Sequence, residues 1–126
     1  MYLIMRKKVL VIEDEPIIAE MMCILLEVEG YNVISLADTG LARRKLHSKE
    51  VGLVMLDLQL KGEGGQAMCA YIKGHDDLKH IPVILVSANM DLQKIKDECG
   101  ADDHIEKPFD LDHFVSKVHR YSGVSN

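Results

Sequence analysis

At 126 residues, 48% hydrophobic and 28% charged, the chain has the composition of one globular domain rather than a disordered tail. Its net charge of −5 comes without a long Lys/Arg run, which argues against direct nucleic-acid binding, and no apolar stretch is long enough for membrane insertion. The three cysteines (Cys23, Cys69 and Cys99) are odd in number and lack metal-ligand spacing, so they are expected as core or half-buried thiols of a cytoplasmic protein.

In chain order, Met1–Met5 is apolar but precedes its positive charges and is too short for a signal peptide; it is expected as a loose extension. Lys8–Ile12 predicts a first strand that ends in the acidic turn Glu13-Asp14-Glu15. Pro16 suits a first helical turn, where its missing N–H is not needed. Ile17, Ile18, Met21, Met22, Leu25 and Leu26 then recur as the expected buried face, and Gly30 is the stop. Asn32–Leu36 predicts a second strand, Ala37–Gly40 a turn, and Leu41 to about Ser48 a short helix carrying Leu41, Ala42, Lys45 and Leu46. Leu53-Val54-Met55-Leu56 runs straight into Asp57, the pattern of a strand buried on both faces, before the chain turns polar and glycine-rich at Lys61–Gly65. A third helix is expected from about Gln66 to Lys73, burying Met68, Cys69 and Ile72.

Ile81–Val86 predicts a fourth strand, closed by Ser87-Ala88-Asn89. Asp91 is placed to cap a helix carrying Leu92, Ile95 and Cys99 and ended by Gly100. A short fifth strand at His104–Glu106 leads to Lys107-Pro108-Phe109, where the proline favours an extended Lys107 and permits a cis bond. Asp110 then caps a last helix expected to bury Leu111, Phe114, Val115 and Val118. His47, His75, His80, His113 and His119 have no metal-ligand grouping and are expected on the surface.

Five strands alternating with five helices predict an α/β fold with a parallel sheet covered on both faces, and the chain has the size of a doubly wound fold of strand order 2-1-3-4-5, as one domain over residues 1–126 with its core at about 7–121. In that order strands 1 and 3 are neighbours at the topological switch point, where ligands bind at the carboxyl ends. Glu13, Asp14 and Asp57 would then meet in one crevice. Two like charges about 4 Å apart repel by roughly 4 kcal/mol at an effective dielectric of 20, so three carboxylates call for a cation. An oxygen-only set of this kind suits Mg2+ (or Mn2+), above all when a phosphate completes the shell. Ser87 and Lys107 end strands 4 and 5 at the same edge. Singly, each residue has an ordinary reading: Asp57 as a loop cap, the acidic turn as solvated surface, Ser87 as a turn hydroxyl, Lys107 as surface charge. Together they make a set that would hold a phosphoryl group, with lysine and metal neutralising its charge.

Val11-Ile12-Glu13-Asp14-Glu15, Leu56-Asp57 with Gly62 and Gly65 behind it, Val86-Ser87-Ala88, and Gly100-Ala101-Asp102-Asp103 running to Lys107-Pro108-Phe109 resemble the receiver domain of two-component response regulators, over about Lys7 to Tyr121. The resemblance implies a flavodoxin-like receiver fold and a phosphorelay switch in which Asp57 takes a phosphoryl group from a histidine kinase or a histidine phosphotransfer protein. It implies that Asp14 binds Mg2+ directly, Glu13 through water, and Gln59 through its main-chain carbonyl, with Asp57 completing the set. Lys107 and Ser87 would contact the phosphoryl oxygens, Ser87 carrying the switch, while Gln59 and Asn89 flank the site where hydrolysis is tuned. Three departures stand out. Lys61 replaces a frequent proline, which predicts a looser loop; His104 replaces the usual switching aromatic; and the stretch from Ser87 to Lys107 is short, which predicts a short or irregular fourth helix.

With no effector sequence after Tyr121, output is expected through contacts with a protein target that the sequence does not name. An aspartyl-phosphate phosphatase of the haloacid-dehalogenase type would need a second aspartate where Gln59 stands, and its nucleophile on the first strand. A flavodoxin-like cofactor binder would need a phosphate-cradling loop where Glu13-Asp14-Glu15 would repel one. A receiver-fold scaffold working without phosphorylation is the remaining alternative.

Overall fold

A computed structural model describes residues 7–62, 64–88 and 91–122. The expectations for Met1–Met5 and Asn89 therefore fall outside the described residues. Ten elements alternate along the chain: β1 (Lys8–Ile12), α1 (Pro16–Val28), β2 (Val33–Leu36), α2 (Thr39–Leu46), β3 (Val51–Asp57), α3 (Gly65–Gly74), β4 (Val83–Ser87), α4 (Leu92–Cys99), β5 (Asp103–Glu106) and α5 (Leu111–Tyr121). The strands form one sheet in the order β2-β1-β3-β4-β5, every pair parallel, as the strand pattern predicts. Among the described residues no helix is long and apolar enough to cross a membrane.

Alternate residues of each strand feed two cores, because successive side chains point to opposite faces. Leu10, Ile12, Val54, Leu56, Val83 and Leu85 face α2, α3 and α4, where Leu46, Met68 and Ile72 are fully enclosed. Val9, Val11, Leu53, Met55, Ile84 and Val86 face α1 and α5, where Met22, Leu26, Phe114 and Val118 meet them. With helices on both faces, the middle strands have no polar side, and this is why they read as unbroken apolar runs.

Local signals account for most boundaries. Pro16 opens α1, and the Asp110 carboxylate accepts from the His113 N–H (2.9 Å) at the start of α5. Gly100 ends α4 in the left-handed conformation, which costs glycine nothing. Asp38 caps α2 by accepting from the Leu41 N–H (2.8 Å), so that helix starts at Thr39, inside the stretch expected as a turn.

Several inward-facing expectations are corrected. In α1 the buried residues are Ala19, Met22 and Leu26, whereas Ile17 and Met21 point to solvent. Leu41 in α2 and Leu111 at the start of α5 are likewise exposed. Asp91 occupies the N-cap of α4 but makes no capping hydrogen bond with its side chain. α4 is short, at eight residues. The cysteines are free thiols, Cys69 and Cys99 buried and Cys23 half-buried. Of the histidines expected on the surface, His47, His80 and His113 are exposed, but His75 and His119 are half-buried. His119 ties α5 to the end of α1 through Glu29 (3.2 Å) and the Tyr31 hydroxyl. His47 bridges Asp77 and the Tyr71 hydroxyl, each at 2.8 Å.

Candidate functional site

The carboxyl ends of β1 and β3 lie side by side, with Ile12 paired to Leu56. The next residues, Glu13 and Asp57, therefore project from adjacent strand ends, and Asp14 follows in the turn before Pro16. Carboxylate oxygens of Glu13, Asp14 and Asp57 all fall within 4.8 Å of one another. Glu13 and Asp57 are almost enclosed, at 3% and 5% exposure, and Asp14 is half-buried at the rim. The crevice inferred from strand order thus brings these three residues together.

Lys107, just past β5, reaches across two strands to them. Its ammonium lies 3.3 Å from Glu13 Oε1 and 3.9 Å from Asp57 Oδ1. The Lys107 N–H donates to the Ser87 carbonyl (2.9 Å), extending the β4–β5 ladder and fixing where the lysine leaves the sheet. The Lys107–Pro108 bond is cis. Ser87, the last residue of β4, is fully buried.

Backbone donors hold the acids in place. The Gln59 N–H donates to Asp57 Oδ1 (3.0 Å), so Asp57 also performs the ordinary loop-capping role, and the Glu15 N–H donates to Glu13 Oε2 (3.1 Å). The Lys61 N–H donates to Asp14 Oδ2 (2.8 Å). A proline there would have no N–H to give; instead of a looser loop, lysine permits a tether between the loop after β3 and the turn after β1. Burial, and then the hydrogen bond shared with Asp57, hold the Glu13 carboxyl above the usual carboxylate range, outweighing the opposing pull of the Glu15 amide and Lys107.

Two features were not read from the sequence. Gly65, the first residue of α3, sits against the end of β3 so closely that a Cβ would fall 2.3 Å from the Asp57 carbonyl oxygen and 2.6 Å from Leu58 Cα. Only the Gly64-Gly65 pair hints at that approach. The Lys61–Asp14 contact joins residues distant in sequence through a backbone atom and leaves no side-chain signature.

His104 does not join the cluster. Its ring lies on the α4 side of β5, with Nε2 3.3 Å from Gln93 Oε1, and burial, with Lys117 nearby, holds its pKa below the usual histidine value. Lys117 of α5 grips the same strand, donating to Asp103 Oδ1 (2.8 Å) and the His104 carbonyl (2.7 Å).

Chemically, the cleft can hold a divalent cation on an all-oxygen set in which two carboxylates are enclosed, with one ammonium beside it. A doubly wound sheet with acids and a lysine converging on its switch point differs from a dinucleotide crevice, whose anionic pyrophosphate the three carboxylates would repel. The chain belongs to the response regulator receiver domain family, whose model matches residues 9–119. It is 32% identical over 116 residues to the DNA-binding response regulator MtrA of Mycolicibacterium smegmatis, a match covering 90% of this chain and 50% of that protein. The phosphate regulon transcriptional regulatory protein PhoB of Escherichia coli matches at 32% identity, covering 90% of this chain and 51% of PhoB. The chain therefore spans about half the length of these relatives. Among solved structures, the receiver domain of NtrX from Brucella abortus superposes with a TM-score of 0.83 at 28% identity, covering 94% of this chain and all of that domain.

Proposed function

We propose that this domain is the phosphoacceptor switch of a two-component phosphorelay, with Asp57 as nucleophile toward a phosphohistidine on a histidine kinase or histidine phosphotransfer protein. The observation that carries the reading is Asp57 itself: an enclosed carboxylate at the switch point, grouped with Glu13 and Asp14 and 3.9 Å from the Lys107 ammonium. Two enclosed acids with a third at the rim, facing one ammonium, are costly as a resting structure and suit a site that gains a cation and a phosphoryl group.

An Asp57 carboxylate oxygen attacks phosphorus and forms the P–O bond as the P–N bond breaks; the donor imidazole, protonated on its other nitrogen, takes the P–N electron pair and leaves as the neutral ring. Lys107 stabilises the charge that the phosphoryl oxygens carry, and Ser87 donates its hydroxyl to one of them. Asp14, Glu13 and Asp57, with the Gln59 main-chain carbonyl, would hold Mg2+ (or Mn2+), which supplies positive charge against the phosphoryl oxygens. The three grouped carboxylates fit such a hard cation. Once formed, the acyl phosphate draws Ser87 inward and shifts the β4–α4–β5 region, where His104 contacts Gln93. Output passes from there to a protein target. MtrA is named as DNA-binding; the net charge of −5 without a long Lys/Arg run argues against that role for this chain.

The test is intact-protein mass after incubation with phosphoramidate, with and without Mg2+, for wild type and Asp57→Asn. A single phosphoryl adduct that needs Mg2+ and is lost in the variant is expected. If neither phosphoramidate nor a phosphorylated histidine phosphotransfer protein modifies the wild-type chain, it works as a scaffold without phosphorylation.

A further inference from the structure

Each acid of the cleft accepts from a backbone N–H, but the bonds differ in kind. The Glu15 N–H to Glu13 Oε2 (3.1 Å) and the Gln59 N–H to Asp57 Oδ1 (3.0 Å) are local, spanning two residues each, and form with the turn that contains them. The Lys61 N–H to Asp14 Oδ2 (2.8 Å) joins residues 47 apart in sequence. It ties the turn after β1 to the loop after β3, and both segments lie beyond Ile12 and Leu56, the last pair of the β1–β3 ladder.

Asp14 depends on such a bond more than its neighbours do. Glu13 and Asp57 are enclosed, so packing restricts their side chains, whereas Asp14 is half-buried at the rim. A carboxylate offers about four lone-pair sites, and one N–H uses one of them. The bond therefore orients Asp14 and leaves it capacity for a cation. The Gln59 main-chain carbonyl, a further oxygen of the proposed cation site, belongs to the same loop as Lys61, two residues earlier.

We propose that the main-chain N–H of Lys61 is a positioning group for the divalent cation. It holds the Asp14 carboxylate in its ligating orientation and sets the loop carrying the Gln59 carbonyl against the turn carrying Asp14. The inference rests on the reading of the cleft as a Mg2+ (or Mn2+) site. Ligating carboxylates are themselves held by hydrogen bonds, and losing such a partner typically lowers metal affinity about 10- to 100-fold. The exposed Lys61 ammonium has the wrong sign to draw a cation, so the backbone is the part of this residue that serves the site.

The test titrates the full chain with Mn2+ and reads binding from the loss of the free-ion electron paramagnetic resonance signal. Lys61→Pro removes the N–H and is expected to weaken Mn2+ binding about 10- to 100-fold. Lys61→Ala keeps the N–H and drops the ammonium, and is expected to bind at least as tightly as wild type. Proline also restrains the backbone before it. A third variant therefore replaces the Leu60–Lys61 amide by an ester, which removes the same N–H and keeps the lysine side chain. It should weaken binding as Lys61→Pro does, with the amide spectrum of the sheet in chelator matching that of wild type. Unchanged or tighter binding by the ester variant would overturn the proposal, and so would a loss in Lys61→Ala as large as that in Lys61→Pro. Wild-type binding that Asp14→Asn weakens but the ester leaves intact would sink the positioning role alone. A wild-type chain that binds no Mn2+ would overturn both that role and the cation site on which it rests.

Discussion

Glu13, Asp14 and Asp57 hold three like charges within reach of one ammonium, and at about 4 Å each uncompensated pair costs roughly 4 kcal/mol at an effective dielectric of 20. Removing one charge should then stabilise the fold in the absence of divalent cation. Asp57→Asn is expected to raise the urea unfolding free energy in chelator-treated buffer by about 1–2 kcal/mol, and to gain less than wild type when Mg2+ is added. A variant less stable than wild type under both conditions would mean that Asp57 serves mainly as a loop cap. The raised Glu13 pKa carries a definite sign. Below the unfolded carboxyl value of about 4.3 the group is protonated in both states and has no effect on stability. As pH rises from there through the higher folded value, the unfolded chain loses its proton first and stability falls. In chelator, Glu13→Gln should flatten that decline in urea midpoints measured through the acid range. Gly65 makes a steric prediction of another kind: Gly65→Ala must push the Asp57–Leu58 backbone aside and should cost about 1–3 kcal/mol. Gly62→Ala, in open space at φ +80, should lose only about 1 kcal/mol from backbone conformation, which gives an internal control.

At the scale of elements, β5 is held by side chains of α5 and contacts α4. Lys117 spans Asp103 and the His104 carbonyl with little exposure, so Lys117→Ala should cost about 1–3 kcal/mol. Burial raises the Asp103 carboxyl, but the hydrogen bonds from Lys117 and the His104 amide outweigh it and the net shift is downward. Its stabilising contribution is present above the unfolded aspartate value and disappears as pH falls through the lower folded one. Acid unfolding of Lys117→Ala should accordingly begin at higher pH than that of wild type. His104 has the opposite charge and a pKa held down by burial and Lys117. The fold therefore loses stability as pH falls below about 6.5, where the unfolded ring takes up a proton first. His104→Phe should abolish that slope, read from thermal midpoints between neutrality and the lower folded value. Strands and most caps were legible because a strand covered on both faces is written as an unbroken apolar run. Which side of α1 is buried was not legible: Ile17 to Leu26 places apolar residues at nearly every position, and periodicity cannot choose among them. Leu111 misled for a simpler reason, since the first turn of a helix can overhang the core it serves.

For the molecule as a whole, the acidic cleft is made by topology: β1 and β3 set Glu13 and Asp57 side by side, Lys107 reaches them from just past β5, and Ser87 ends β4 between. Glu13, Asp14, Asp57, Ser87 and Lys107 could be assigned to one sheet edge for that reason. The loop contacts from Gln59 and Lys61 were invisible because they use backbone atoms whose position depends on the finished turn. If three carboxylates hold a cation, the entire domain is stabilised by it: Tm should rise with Mg2+ concentration, by about 1.4 kcal/mol of stability per tenfold increase above Kd, and Asp14→Asn should flatten the response. The reach of Lys107 across the sheet also has a consequence in time. β1 and β3 can pair as soon as Asp57 leaves the ribosome, yet the lysine facing their acids is made only after α3, β4, α4 and β5, a delay on the order of seconds. During that interval the nascent half-sheet carries its acids without that ammonium, so a divalent ion, if the three carboxylates hold one, would also aid the folding of the growing chain.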